Sequence, residues 1–438
     1  MQRRKVMNKK SQKNIEVYAD WEGLTQPVHM GVLLAKPGRG KEIFSFEYSQ
    51  DWLSGNFSTP LDPALQLFSG VQHAPNDQEN FGLFLDSSPD RWGRMLMRRR
   101  EAQLAREEKR EVRKLLESDY LLGVYDENRM GALRFCGDIN GPFLDNSKER
   151  ASPPWSSLRE LEHASLEIEK SGAENNKNYS NWLKMLIAPG GSLGGARPKA
   201  SVIDEKGHLW IAKFPSAQDE IDIGAWEMVV WRLARLANIN MADARAEKFN
   251  SRYHTFLNKR FDRTSKGKRI HFSSAMTMLQ YSDGDDYSTG VSYLELAEFL
   301  MQHGAQPDKD LEQLWRRIVF NVCVSNVDDH LRNHGFILQP EGWVLSPAFD
   351  INPVPAGEGL KLNISEDDNS QHIDLVKEVA EYFRIKPVDA DKHIDQVVKA
   401  VRQWRKEAGA LGISKREQDE MAPAFRIAEN QNVKSRPK

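Results

Sequence analysis

The periodicity of this chain shifts along its length, and the shift divides the fold. Upstream of residue 265, short runs of apolar and β-branched residues are punctuated by glycine, proline and other turn formers. They are Ile15–Tyr18, His29–Leu34, Ile43–Tyr48, Leu121–Tyr125, Ala132–Phe135, Lys199–Ile203, Leu209–Phe214 and His254–Asn258. Such runs read as strands. Helical stretches are interleaved at Leu61–Leu67, Asp90–Arg113, Leu158–Glu169, Asn181–Ile187 and Asp219–Leu236, the last with Asp219 at the N-cap position. From Tyr293 onward helical spacing dominates, in Leu294–Gln302, Leu311–Val324, Ile373–Phe383 and Ala390–Trp404, with two short strands at Gly335–Leu338 and Trp343–Leu345. The pattern predicts an α/β fold of the α+β kind, a β-rich part followed by a helical one.

At 438 residues the chain exceeds the ~250–300 at which single cores stop growing. The polar, proline-bearing stretch Gly137–Pro154 is the expected boundary. It separates an α/β unit at 15–150 from a second unit at 155–425, β-rich over 155–265 and helical over 290–425. Residues 1–14 read as a solvated basic tail and 430–438 as a disordered one. The 61 basic and 63 acidic residues nearly cancel, so global charge does not mark a nucleic-acid binder. Two distant cysteines, Cys136 and Cys323, suit a reducing cytosol. No apolar run approaches the roughly 20 residues of a membrane span, and no apolar segment follows the basic start, so a cytoplasmic location is expected.

Phosphoryl transfer needs a cradle for phosphates, a cation on them, a group to position the attacking hydroxyl, and ligands for Mg²⁺. Candidates for each occur in that order. The cradle is Pro189–Lys199, containing Gly191, Ser192, Leu193, Gly194, Gly195 and Lys199. Glycine lets backbone amides approach phosphate oxygens. A strand, a turn and a second strand follow at once, and the second strand ends Ile211-Ala212-Lys213-Phe214-Pro215. A lysine among apolar neighbours needs a partner, and Glu227, on the next helix, is a candidate. Asp328, followed five residues later by Asn333, has the spacing of a kinase catalytic loop, in which the aspartate accepts the hydroxyl proton and the asparagine binds Mg²⁺. Asp350, after a short apolar strand, fits a second Mg²⁺ ligand. The histidine-arginine pair that usually precedes the catalytic aspartate is absent, and Ile351 stands where a glycine is usual.

Two rival constellations are weaker. Asp328, His330 and His334 offer oxygen and nitrogen ligands, but no second cluster completes a tetrahedral zinc site; hydrogen bonding within the loop is the better reading of His330. Gly190-Gly191-Ser192-Leu193-Gly194 matches the nucleophile-elbow string of acyl hydrolases. An elbow sits between a strand and a helix, whereas a strand follows here.

These residues resemble the HipA family of serine/threonine kinases, the toxins of type II toxin–antitoxin pairs. The resemblance rests on Ser192–Lys199, Ala212-Lys213-Phe214-Pro215, Arg260-Phe261-Asp262-Arg263, Asp328-x-His330-x-x-Asn333 and Phe349-Asp350-Ile351. In the N-terminal unit it rests on Pro89-Asp90-Arg91-Trp92-Gly93-Arg94 and Arg129-Met130-Gly131-Ala132-Leu133. It covers roughly residues 15 to 420 and implies an atypical protein-kinase-like fold. It also implies ATP and Mg²⁺ as cofactors, with Asp328 as catalytic base, Asn333 and Asp350 as Mg²⁺ ligands and Lys213 on the ATP phosphates. His330 would stand beside the nucleotide, and backbone groups around Lys259–Phe261 would meet the adenine. Ser192 falls where family members phosphorylate themselves into an inactive form. Family substrates include aminoacyl-tRNA synthetases, notably the glutamyl enzyme. Family members are neutralised by HipB-like helix-turn-helix antitoxin dimers, which bring them to operator DNA. Lys259 departs from relatives that carry an acidic residue there. Two other classes stay open, a small-molecule kinase and a regulatory partner of an antitoxin on DNA.

Overall fold

Alternation in the first fifty residues produces strands that bury one face. β1 (Lys13–Ala19), β2 (Val28–Pro37), β3 (Glu42–Tyr48), β4 (Val71–His73) and β5 (Leu133–Cys136) form an antiparallel sheet in the order β4-β3-β2-β1-β5. Val17, Leu33, Phe44, Phe46 and Phe135 lie in its core. The computed structural model describes residues 12–55, 60–75, 77–148, 151–187 and 195–431. The expected tails therefore lie mostly outside the described residues.

A second antiparallel sheet, in the order β6-β7-β9-β8, is built from β6 (Lys199–Ile203), β7 (Leu209–Lys213), β8 (Ala244–Glu247) and β9 (Thr255–Lys259). The β6–β7 turn closes because Asp204 accepts from the backbone of Lys206 and His208, with Gly207 at φ 82°. A third sheet joins β10 (Phe272–Ser274), β11 (Gly335–Gln339) and β12 (Gly342–Leu345). It brings the segment before Tyr293 against the segment that follows Asn333.

The helical part centres on Pro307–Val324, which has proline in its first turn and is buried from Leu314 to Val324. It packs against Tyr293–His303, Ile373–Glu378 and Pro387–Val401. Among the described residues, no helix is long and apolar enough to cross a membrane.

The core does not divide at 137–154. One apolar cluster runs from Ile15 to Ala428, and a second joins Trp92 and Leu96 to Leu158, Trp210 and Leu257. The linker is a loop in the chain, but packing crosses it.

Four sequence expectations are corrected. Leu61–Leu67 is a series of turns rather than a helix. Leu61 and Leu65 are buried at helical spacing, but the Asp62 carboxylate binds the amides of Ala64 (2.8 Å) and Leu83 (2.9 Å) and pins the turns. Leu121–Tyr125 belongs instead to the helix Glu117–Leu122 and the turn after it. The long helix from Asp90 ends at Glu107, and residues 110–116 carry no regular secondary structure. The helix ending at Leu236 begins at Ile223, capped by Asp222, while Asp219 ion-pairs with Arg197.

Candidate active site

Lys213 ends β7, and its ammonium lies 2.5 Å from both Glu227 Oε1, on the helix Ile223–Leu236, and Asp350 Oδ1, after β12. Burial disfavours the charged lysine, but the two carboxylates outweigh it and hold the Lys213 pKa above the ordinary lysine value. Burial likewise opposes the Asp350 charge, yet Lys213, with Lys199 and His330 farther off, pulls that carboxyl down to about 2. One cation between two anions leaves the triad an excess negative charge. Asp350 itself sits at φ 57°, a left-handed conformation that costs a non-glycine residue energy but that aspartate tolerates better than most.

The candidate loop of Asp328 and Asn333 begins where the helix Pro307–Val324 stops at Ser325, itself left-handed at φ 50°. Two adjacent aspartates then do opposite things. Asp329 is buried and receives Tyr293 Oη (2.6 Å) and Asn321 Nδ2 (2.8 Å), with His334 Nε2 at 2.7 Å. It locks the loop to the helices behind it. Asp328 is exposed, and its backbone carbonyl accepts from Asn333 Nδ2 (3.1 Å). With Nδ2 so committed, Oδ1 is the ligand atom Asn333 can offer. His334 is turned to Asp329, which separates it from the Asp328–His330–His334 metal alternative.

The donor set fits a hard divalent cation. Asp350 supplies carboxylate oxygen and Asn333 amide oxygen, the ligand chemistry of Mg²⁺. Asn352, whose Nδ2 is 3.4 Å from Asp350 Oδ1, keeps its own Oδ1 buried without a partner. His330 Nδ1 is also buried and unpartnered. Buried polar atoms rarely go unmatched, so both atoms suit a site that receives a polar ligand.

Beside the triad is a narrow, mostly apolar slot lined by Ile211, Phe261, Phe349 and Met130. The rings of Phe261 and Phe349 lie 5.5 Å apart. Asn258 and Arg260 border the slot, but Lys259 does not, because successive residues of β9 point to opposite faces. Its amide is bound to the Asp243 carbonyl (2.8 Å), and that of Arg260 to Leu209 (2.9 Å). The Lys259 side chain faces an outer groove with His208 and Asp243. Lys199 is also redirected. Its ammonium binds Asp90 (2.8 Å) and the Gly195 carbonyl (2.7 Å), buried among them. Gly191, Ser192, Leu193 and Gly194 lie outside the described residues.

Residues 191–405 match the family model of the HipA-like C-terminal domain. This segment belongs to the HipA-like family. Curated relatives include "Putative kinase" of Haemophilus influenzae, 26% identical over 187 residues, which are 38% of this chain and 54% of the relative. "Putative kinase Y4mE" of Sinorhizobium fredii is 25% identical over 147 residues, 32% of this chain and 33% of the relative. The chain thus spans about half the length of the first relative and a third of the second. Among solved structures, HipA in the Shewanella oneidensis MR-1 complex of HipA, HipB and operator DNA superposes with a TM-score of 0.65 at 17% identity. That match covers 95% of this chain and 96% of that one. The fold is the mixed α/β, kinase-like fold of HipA over nearly the whole chain.

The N-terminal motifs meet the HipA-like segment at two points. Asp90, the N-cap of the helix Arg91–Glu107, takes the Lys199 ammonium, and Trp92 Nε1 donates to the Lys199 carbonyl (3.0 Å). Arg260 and Arg263 both bind Asp262, and both donate to backbone carbonyls of Asn128 and Arg129 or their neighbours. Gly131, at φ 71°, donates its N–H to Asp262 (2.9 Å). That turn carries Met130 into the slot. Sequence reasoning named the motifs but not the parts played by Met130, Asp329 and Asn352. Only Asn352 left a local trace, as the third residue of Asp350-x-Asn352.

Proposed function

We propose that this chain is an ATP- and Mg²⁺-dependent serine/threonine protein kinase acting as a HipA-like toxin. The supporting observation is the triad of Lys213, Glu227 and Asp350, with His330 close enough to act on the Asp350 charge, in a chain whose loop exposes Asp328 and holds Asn333. Residues 15–150 would form the HipA-type N-terminal unit and 155–425 the catalytic one. The adenine enters the slot between Ile211, Phe261, Phe349 and Met130. Lys213 has three N–H donors and uses two on carboxylates, so a third remains for a phosphate oxygen. Asn333 and Asp350 would hold Mg²⁺, which would neutralise charge on the phosphate oxygens. Asp328 accepts the proton of the acceptor hydroxyl as its oxygen bonds to the γ-phosphorus and ADP departs. His330 turns its unpartnered nitrogen to the nucleotide. Ser192 is the self-phosphorylation site; a phosphate there adds about −1.5 to −2 charge to a loop that receives phosphates, which disfavours ATP.

The partners follow the HipA resemblance: a HipB-like helix-turn-helix antitoxin dimer, operator DNA through that dimer, and an aminoacyl-tRNA synthetase as substrate. Expression of the chain in a bacterial host, beside Asp328→Asn, tests the toxin reading. Growth arrest that disappears in the variant supports catalysis. Arrest that persists with Asp328→Asn contradicts it.

A further inference from the structure

A cleft of about 450 Å³ opens beside the catalytic loop, between the N-terminal unit and the segment 276–283. Its walls include Glu79, Ser88, Arg91, Thr277, Asp283 and Arg332. Arg332 belongs to the catalytic loop itself, between Asp328 and Asn333. Most charges of the cleft are answered within the protein. Arg94 is held by both oxygens of Glu117 (2.5 and 2.7 Å), Asp90 by Lys199, and Asp86 by Ser274.

Arg91 and Arg332 differ. They share a single carboxylate, Asp283, with one N–H each, at 3.0 and 2.9 Å. Each guanidinium has five donors in a fork suited to bidentate capture of a carboxylate, so most of their capacity is unspent. Asp77 lies at the rim but pairs with neither arginine. Arg91 and Asp283 are well exposed, so the contact is open to exchange. Nor does the segment need Asp283 to stay in place. Tyr281 Oη donates to Glu295 (2.8 Å), Ser282 N to Asp285 (2.7 Å) and Tyr287 N to the Lys361 carbonyl (2.8 Å).

We propose that this cleft docks the polypeptide that accepts the phosphoryl group, and that Arg91 and Arg332 select an acidic residue close to the acceptor serine or threonine. Asp283 holds that residue's place until the acceptor arrives. The inference rests on the protein-kinase reading and adds a substrate class to it.

The test uses the full chain and arrayed synthetic peptides with one central serine, flanked by aspartate, alanine or lysine at each neighbouring position. Labelling from γ-labelled ATP with Mg²⁺ is compared for the wild type, Arg91→Ala, Arg332→Ala and Asp283→Ala, and ATP binding is measured separately for each. The wild type is expected to label aspartate-flanked peptides about tenfold faster than their lysine counterparts, the ratio of one lost charge-assisted contact. Arg91→Ala, outside the catalytic machinery, should erase that preference while leaving ATP binding unchanged. Asp283→Ala should raise labelling of the acidic peptides. A wild type without acidic preference, a preference that survives Arg91→Ala, or a chain that binds ATP but labels no peptide overturns the proposal. Failure to bind ATP at all removes the kinase reading beneath it instead.

Discussion

The Arg260–Arg263 junction and the Lys213 triad both bury three charges, but with opposite balance. At the junction, Arg260 and Arg263 surround Asp262, an excess of positive charge absorbed by the carbonyls of Glu127, Asn128, Arg129 and Gly131. At the triad, Glu227 and Asp350 surround Lys213, an excess of negative charge, and the buried Asn352 Oδ1 and His330 Nδ1 have no partner. A network satisfied by its own backbone is built to stay as it is. A network left with spare charge and unmatched atoms is built to receive something, and the proposed function makes that a cation and phosphates.

The largest expected effect lies at the junction. Asp262→Ala leaves two buried guanidinium groups without their carboxylate and should cost about 3–5 kcal/mol in urea unfolding. Its carboxyl is held near 2, because Arg260 and Arg263 outweigh the burial that opposes its charge. The pKa is depressed, so its stabilisation is complete above about pH 4 and fades as the pH falls toward 2. The variant should lose that part of the acid dependence.

Asp86 sharpens the comparison, because it bridges the two units without a cation. It accepts from Ser274 N (2.7 Å) and Oγ (2.8 Å), and burial raises its pKa to about 6. A raised carboxyl stabilises the fold when protonated and costs stability as the pH rises from about 4 to 6. The cost is on the order of 3 kcal/mol, from about 1.36 kcal/mol per unit. Asp86→Asn should flatten the stability curve over that window.

At the triad, Asp350→Asn still leaves Lys213 paired with Glu227 and removes the excess charge. Stability should change by no more than about 1 kcal/mol while phosphoryl transfer is lost. A loss comparable to that of Asp262→Ala would break the distinction between the two regions. The smallest effect is expected for Arg91→Ala, within about 0.5 kcal/mol in unfolding, as for other exposed ion pairs.

Residues with local consequences were legible in the sequence. Leu158–Glu169 is a helix as its apolar spacing predicts, and the β6–β7 hairpin forms around its glycine turn. Lys213, Glu227, Asp328, Asn333 and Asp350 stood out by spacing, and the fold joins Lys213, Glu227 and Asp350 in one ion-paired triad. Residues whose roles come from distant partners were not legible. Leu61 and Leu65 mimic a helix because nothing local announces that Asp62 will bind the amide of Leu83. Asp219 resembles a cap because its real partner, Arg197, lies on another segment. Lys259 faces away from the slot because strand register, not composition, sets its direction. Asp329 could not be told from Asp328 until Tyr293, Asn321 and His334 were seen around it.

Labelling with γ-labelled ATP and Mg²⁺, followed by mass spectrometry of the wild type and Asp328→Asn, tests the central claim most directly. The account predicts label on Ser192 in the wild type, and at least about a hundredfold less in Asp328→Asn with ATP binding intact. Equal label in both proteins, or a wild type that carries no phosphate and binds no ATP, would contradict it.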